Sequence, residues 1–273
     1  MSTPRDALAS LIGGAEPSSQ VRRSISESWR RSADAGLVPR QFDVPYEDGA
    51  EEDSQLQRAA RPVLERVADD LATAKVSVLM TDAKGHVRDR YVSDRSLRDR
   101  LDRIYLAPGF VYAEDQIGTN AIGTALAEGA TSVVDGEEHF AEALVGMACA
   151  AAPIREPSSG QVLGVVDLTS FAEDASELML PLARQAARQL ESRLADAMPA
   201  IERRWAELTS TERNIADFVA QGFTNRQTAD QLFMSRFTVD FHLRAIFRKL
   251  GINSRVDLAR LVGERRMKTV RRN

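Results

Sequence analysis

A single cysteine, Cys149, stands in 273 residues. It excludes an internal disulfide and fits a reducing compartment. Histidine is nearly as scarce: His86, His139 and His242 are the only three, and no metal-ligand spacing links them to one another or to the cysteine. No apolar run approaches the ~20 residues of a membrane span. The opening MSTPRDALAS lacks the apolar core of an export signal, so the expected location is the cytoplasm, with no membrane contact. Low-complexity tracts and internal repeats are also missing. What remains is an ordinary globular composition, 43% apolar and 28% charged, with room for about two domains. Positive charge is scarce only on average. From Leu208 to Asn273 there are thirteen Lys and Arg against six Asp and Glu, a balance of +7, and the rest of the chain carries −11. Only a basic patch gains affinity by releasing counterions from nucleic acid.

The basic end, Leu208 to Val262, reads as four short helices. Thr209-Ser-Thr-Glu212 is a capping box that opens the first, with Ile215, Phe218 and Val219 on its apolar face and Gly222 just past its end. Thr224-Asn-Arg-Gln227 is a second capping box, opening a short helix with Ala229 and Leu232 inward. Ser235 caps a third helix that runs to Leu250 and stops at Gly251, and Ser254 caps a fourth. In the third helix, Val239, His242, Ile246 and Leu250 recur at three- and four-residue spacing and are expected to face the core. Phe237, Asp240, Phe241, Arg244 and Arg248 fall on the opposite side. Two helices joined by a tight turn, the second with a basic outer face, form the geometry that docks in a major groove.

This segment resembles the DNA-binding domain of LuxR-type (GerE-like) regulators. The resemblance is carried by Leu208-Thr209, Glu212, Ala220 to Gly222, Asn225, Ala229, Leu232, Thr238-Val239, His242, Ile246 to Gly251, and Ser254-Arg255. Asp240 departs from the basic residue often found at that place. The expected contacts to double-stranded DNA are Thr224, Asn225, Ser235, Arg236, Phe237, Asp240, Phe241, Arg244, Arg248 and Lys249. Arg244 suits a guanine edge, and Arg236, Arg248 and Lys249 suit phosphates. Thr224 and Asn225 stand at a helix N-terminus, where amides favour a phosphate. Asp240 either accepts from cytosine N4 or repels phosphates. His242 is read as a packed residue.

The acidic part, up to residue 207, mixes strands and helices. A helix is expected over Gln20–Ala35, with Val21, Ile25 and Trp29 spaced by four, and its arginines Arg22, Arg23, Arg30 and Arg31 as a solvated face. Another is expected over Glu51–Lys75, and a short one over Ser96–Ile104. Lys75 to Thr81 and His86 to Val92 read as a hairpin around Asp82-Ala-Lys-Gly85. Asp115–Glu128 reads as one helix despite Gly118 and Gly123, which permit close approach. Val133-Val134, Cys149–Ile154 and Val162–Thr169 read as strands.

Roughly residues 20 to 195 resemble a GAF domain, an antiparallel sheet with flanking helices. The likeness is narrowest to the sensor region of acetoin-catabolism-type activators. Its carriers are Ser28-Trp29, Arg31-Ser32, Gly36-Leu37, Pro39, Glu114, the run Gly118 to Leu126, Gly136, Glu138-His139-Phe140, Cys149 to Ile154, Gly160, and Gly164 to Thr169. Tyr112 stands where that group often has tryptophan. The resemblance implies a small-molecule pocket, for which the candidates are Tyr112, Glu114, Asn120, Thr124, His139, Met147 and Cys149.

The expected domains are a helical segment over 1–50, a GAF-like sensor over 51–173, a connecting helix and hinge over 174–207, and the reader over 208–273. In the connector, Ala183, Ala187, Leu190, Leu194, Ala197 and Ile201 alternate at four and three, which suits either a helix lying against the sheet domain or, the favoured reading, a short coiled-coil seam of a homodimer, with the hinge at Met198–Glu207. The fold class is thus an α+β antiparallel-sheet domain plus an all-α helix-turn-helix domain. The function that follows is a transcriptional regulator, not an enzyme, that senses a small effector, controls the reader through a dimer helix, reads paired half-sites and, if it activates rather than represses, meets RNA polymerase. No cofactor is implied. The alternative is a haem, metal or redox sensor on the same reader, with His86, His139 and Cys149 as the soft ligands.

Overall fold

The structure is a computed structural model describing residues 3–14, 21–47, 54–197 and 200–270, with side chains through 266. It separates into one unit ending at Leu194 and another starting at Ala195.

Among the described residues, three helices precede the sheet of the first unit. Helix α1 (Pro4–Ile12), absent from the sequence-based expectation, is opened by a Thr3–Asp6 capping box with proline in its first turn. Helix α2 spans Arg23–Asp34, and its Ile25 and Trp29 are buried as their spacing predicts. Helix α3 (Gln55–Asp70) starts at the Ser54 cap; the expected start at 51 lies outside the described residues. Strands β1 (Val76–Thr81) and β2 (Val87–Val92) form the expected antiparallel hairpin. Helix α4 spans Arg95–Arg103.

The helix expected over 115–128 is two helices, α5 (Glu114–Ile117) and α6 (Ala121–Glu128). Gly118 breaks it with φ of 80°, where a Cβ would lie 2.7 Å from the Phe140 side chain. A Cβ on Gly123 would lie 2.5 Å from the Glu114 amide. The close approach is therefore to the chain's own atoms. Strands β3 (Ser132–Asp135), β4 (Met147–Arg155) and β5 (Val162–Phe171) follow, then helix α7 (Met179–Ala197).

The sheet order is β2-β1-β5-β4-β3, antiparallel throughout. Side-chain alternation sends Leu79, Ala151 and Val165 to one face, under α1, α2, α4, α5 and α6. It sends Val78, Met80, Ala152, Val166 and Leu168 to the other, under α3 and α7. This arrangement is the GAF-like one. It also corrects the reading of the connector: Ala183, Ala187, Leu190 and Leu194 are buried against the chain's own sheet, so this stripe is not a seam open to a second copy.

The second unit comprises α8 (Ala200–Ala206), α9 (Ser210–Ala220), α10 (Asn225–Gln231), α11 (Arg236–Leu250) and α12 (Arg255–Val270). The caps at Thr209, Thr224 and Ser235 form as their spacing predicts. Met198 and Pro199 of the expected hinge lie outside the described residues. The rest of that hinge is largely helical, and Trp205 joins the reader's core with Ile215, Val239, Ile246 and Leu250. Leu243, not His242, is the buried member of the α11 stripe; His242 is partly exposed. Counting from Val239, a helix of 3.6 residues per turn brings residue 243 more squarely inward than 242.

Candidate ligand pocket and nucleic-acid interface

Strands β4 and β5 bring Met147, Cys149, Asp167 and Thr169 under the N-terminal end of α6. Together with Ile104, Leu106, Tyr112, Asn120, Ile122, His139 and Leu144 they line a small cavity. It leaves about 10 Å³ open to the centre of a water-sized sphere, room for about one water. Most of its polar groups are already satisfied. The Tyr112 hydroxyl donates to the Ile104 carbonyl at 2.5 Å. The Asn120 amide donates to the carbonyls of Tyr112 and Gly118 and accepts from the Gly123 amide. His139 Nδ1 pairs with the Gly136 carbonyl at 3.0 Å. Burial lowers the His139 pKa to about 4, so the ring is neutral near pH 7. Burial also holds the Cys149 thiol well above its usual pKa and keeps it protonated.

Asp167 is the exception. Its Oδ2 accepts from Thr169 Oγ1 at 2.5 Å, but its buried Oδ1 has no partner. Burial raises its pKa to about 7. A carboxyl group in this state can donate a proton to an acceptor or take a bond from a donor. The sequence reading missed it, although a signal was there: the run Val162 to Leu168 is apolar apart from this acid, and an acid in the middle of such a strand is expected to be buried.

Five of the seven expected pocket residues, Tyr112, Asn120, His139, Met147 and Cys149, meet at this cavity. Glu114 and Thr124 do not line it. Glu114 Oε2 accepts from Ser28 Oγ at 2.6 Å and from Thr124 Oγ1 at 2.8 Å, and both of its oxygens meet Arg31. Ser28 also reaches Thr119 at 2.7 Å. This network fastens α2 to α5 and α6. Arg22, Arg23 and Arg30 are exposed as expected, Arg22 pairing with Glu138 at the surface, but Arg31 corrects the reading of a solvated face by holding the buried Glu114 together with Glu128. His86 sits between Asp82 and Glu47 at 2.9 and 2.7 Å, beside an open cleft of about 640 Å³. Among the described residues no group of three or more His, Cys, Asp or Glu is placed to hold a metal ion. Nor does a haem fit a cavity with room for about one water.

In the second unit, α11 turns an unusual face outward. Phe237 is 86% exposed, Phe241 69%, and Phe233 in the preceding turn 98%. Arg244 and Arg248 are exposed beside them, as is Arg236. Ser235 and Thr224 are engaged in caps. Three expected contacts are committed inside the unit. Lys249 Nζ bonds Glu212 at 2.6 and 2.9 Å and the Glu207 carbonyl at 3.2 Å. Asn225 donates to Asp240 at 2.5 Å and accepts from Arg255. Asp240 is also 3.8 Å from Arg236. The carboxylate that stands in a basic position is thus part of an internal chain, Arg255–Asn225–Asp240.

The family profile described as "MimR, N-terminal domain" matches residues 3–192. The chain belongs to this family. A second profile, "Bacterial regulatory proteins, luxR family", matches residues 206–262, the helix-turn-helix unit. The MimR-type unit is 44% identical over 184 residues to the propane 2-monooxygenase operon transcriptional activator MimR of Mycolicibacterium goodii, covering 67% of this chain and 32% of the relative. It is 30% identical over 183 residues to the acetoin dehydrogenase operon transcriptional activator AcoR of Bacillus subtilis, covering 64% and 30%. The chain thus spans about a third of the length of these curated relatives. The MimR-type fold also superposes on the E. coli DhaR(N)–DhaL complex with a TM-score of 0.58, at 22% identity, covering 64% of this chain and 61% of that one. Among the described residues, no helix is long and apolar enough to cross a membrane.

Proposed function

We propose that this chain is a DNA-binding transcriptional regulator whose MimR-type unit takes up a small uncharged molecule in the Asp167 cavity. The observation that carries the sensor half is the unpartnered, fully buried Asp167 Oδ1. A native core rarely leaves such an atom unsatisfied, because it forfeits about 1–3 kcal/mol. A hydroxyl or carbonyl on the effector would complete it. The apolar remainder, Ile104, Leu106, Ile122, Leu144 and Met147, favours a short carbon skeleton without charge. Two relatives are named for operons of propane 2-monooxygenase and acetoin dehydrogenase, and propane and acetoin are small and uncharged. An effector of about four to six heavy atoms requires the cavity to widen, and the flexible Met147 side chain suits that. The reader half rests on the exposed guanidiniums of Arg236, Arg244 and Arg248 along α11. Two copies on paired half-sites fit such a reader, and any pairing of the MimR-type units uses a surface other than the covered α7 stripe.

The test is a melt of the full chain with acetone, 2-propanol and acetoin, alongside retention of duplex DNA from a random library. A saturable rise in the first transition that Asp167→Leu abolishes is expected, together with selective retention of duplexes by the parent chain. No rise with any of the three compounds would refute the sensor half. No retained duplex would refute the reader half.

A further inference from the structure

The outward face of α11 holds apolar surface that the fold does not use. Phe237 and Phe241 are four residues apart, so they stand one above the other on one side of the helix. They are 86% and 69% exposed. Neither joins the core of the second unit, which is built from Trp205, Leu208, Ile215, Val239, Leu243, Ile246 and their neighbours. Phe237 is the second residue of α11, at the end of a recognition helix that meets base edges. Exposed guanidiniums of Arg236, Arg244 and Arg248 share the outer surface and suit phosphates on either side. Asp240, the one carboxylate among them, is engaged by Asn225 and Arg236.

A phenylalanine ring has no donor or acceptor and cannot read guanine, adenine or cytosine by hydrogen bonding. The major groove offers one apolar group, the C5-methyl of thymine. We infer that Phe237 and Phe241 are specificity-determining residues that pack on thymine methyl groups, so that each half-site carries two nearby thymines where a basic reader would select guanine. This rests on the reading of α11 as the DNA-docking helix. The two rings contribute shape and dry surface, while the arginines hold the register on the backbone.

The experiment selects duplexes from a random library with the full chain at physiological salt. The best duplex is then remade with deoxyuridine in place of thymidine, which removes only the methyl. Thymines at two fixed positions of the half-site are expected. Each deoxyuridine there should weaken binding about fourfold, the worth of one buried methyl. Phe237→Ala and Phe241→Ala should bind the two duplexes equally, each at its own position, with unchanged melting, since both rings are exposed. Specific selection with no response to deoxyuridine would overturn the methyl readout and leave DNA reading intact. Variants that bind every duplex as the parent does would assign the rings to a protein contact and overturn it as well. Failure to select any duplex would overturn both readings together.

Discussion

Replacing Asp167 by asparagine should stabilise the MimR-type unit, and by an amount that depends on pH. The side chains have the same shape, and the amide oxygen can keep the bond from Thr169. What changes is the ionisable proton. Burial raises the Asp167 pKa from an ordinary 3.8 to about 7. The native state therefore holds the proton more tightly than the unfolded chain does. Below about pH 4 both states are protonated, and this preference contributes in full. Between about pH 4 and pH 7 the unfolded chain ionises first, and stability falls as pH rises. Above about pH 7 the contribution is gone. At 1.36 kcal/mol per pK unit the total is about 4 kcal/mol. Asparagine has nothing to ionise, so the variant should match the parent near pH 4 and exceed it by up to about 4 kcal/mol at pH 8. For a unit of this size that is roughly 8 °C or more in melting temperature. Urea unfolding between pH 4 and pH 8 measures it, with the transition of the second unit as internal control. Parallel stability profiles for parent and variant would refute the reasoning, because Asp167 would then be ionised in the native state at every pH tested.

Lys249→Gln should cost the reader about 2 kcal/mol by stranding Glu212 yet leave the salt dependence of DNA binding unchanged, whereas Arg244→Gln should lower the log–log salt slope by about 1. Binding titrations at several salt concentrations separate the two. Arg31→Met leaves the buried Glu114 carboxylate without its guanidinium and should cost about 2–3 kcal/mol, seen as faster amide exchange in α2. Leu190→Ala should cost the first transition about 2–5 kcal/mol with no change in the mass of the particle by light scattering. A halved particle mass instead would restore α7 as a seam between copies.

The reader was legible almost residue by residue because its determinants are local. Caps at Thr209, Thr224 and Ser235 fix helix limits within a few positions, and hydrogen bonds of that range can be read from spacing. Strands β1, β4 and β5 were legible as short, mostly apolar runs bounded by turns, and β2 as the partner of β1 across Asp82-Ala-Lys-Gly85. The errors lie where long-range packing decides. A three-and-four stripe looks the same whether a helix covers its own sheet or another helix, and Leu190 reads identically in both cases. Lys249 and Asn225 look like surface cations and amides until Glu212 and Asp240 are brought beside them from 37 and 15 residues away. The state of Asp167 is illegible for a like reason: only the packed fold shows that one of its oxygens has a partner in Thr169 and the other has none, whereas the Asn120 amide serves backbone groups.

The first unit treats its two most informative acids in opposite ways, and α6 connects them. Glu114 is buried with both oxygens occupied by Ser28, Thr124 and Arg31. A network so completed rigidifies what it joins, here α2 against α5 and α6. Asp167 is buried with one oxygen left over, and an incomplete site of that kind favours whatever completes it. Asn120 caps α6 on the cavity wall, and Thr124, one turn further along the same eight-residue helix, closes the Glu114 network. A helix this short moves as a body. An occupant that lifts its Asn120 end must strain the Thr124–Glu114 bond, 2.8 Å long, on which the hold over α2 partly depends. Cavity and clasp share α6, so the proposed uptake of an effector predicts that α2 responds first, as faster amide exchange in its residues when acetoin is added.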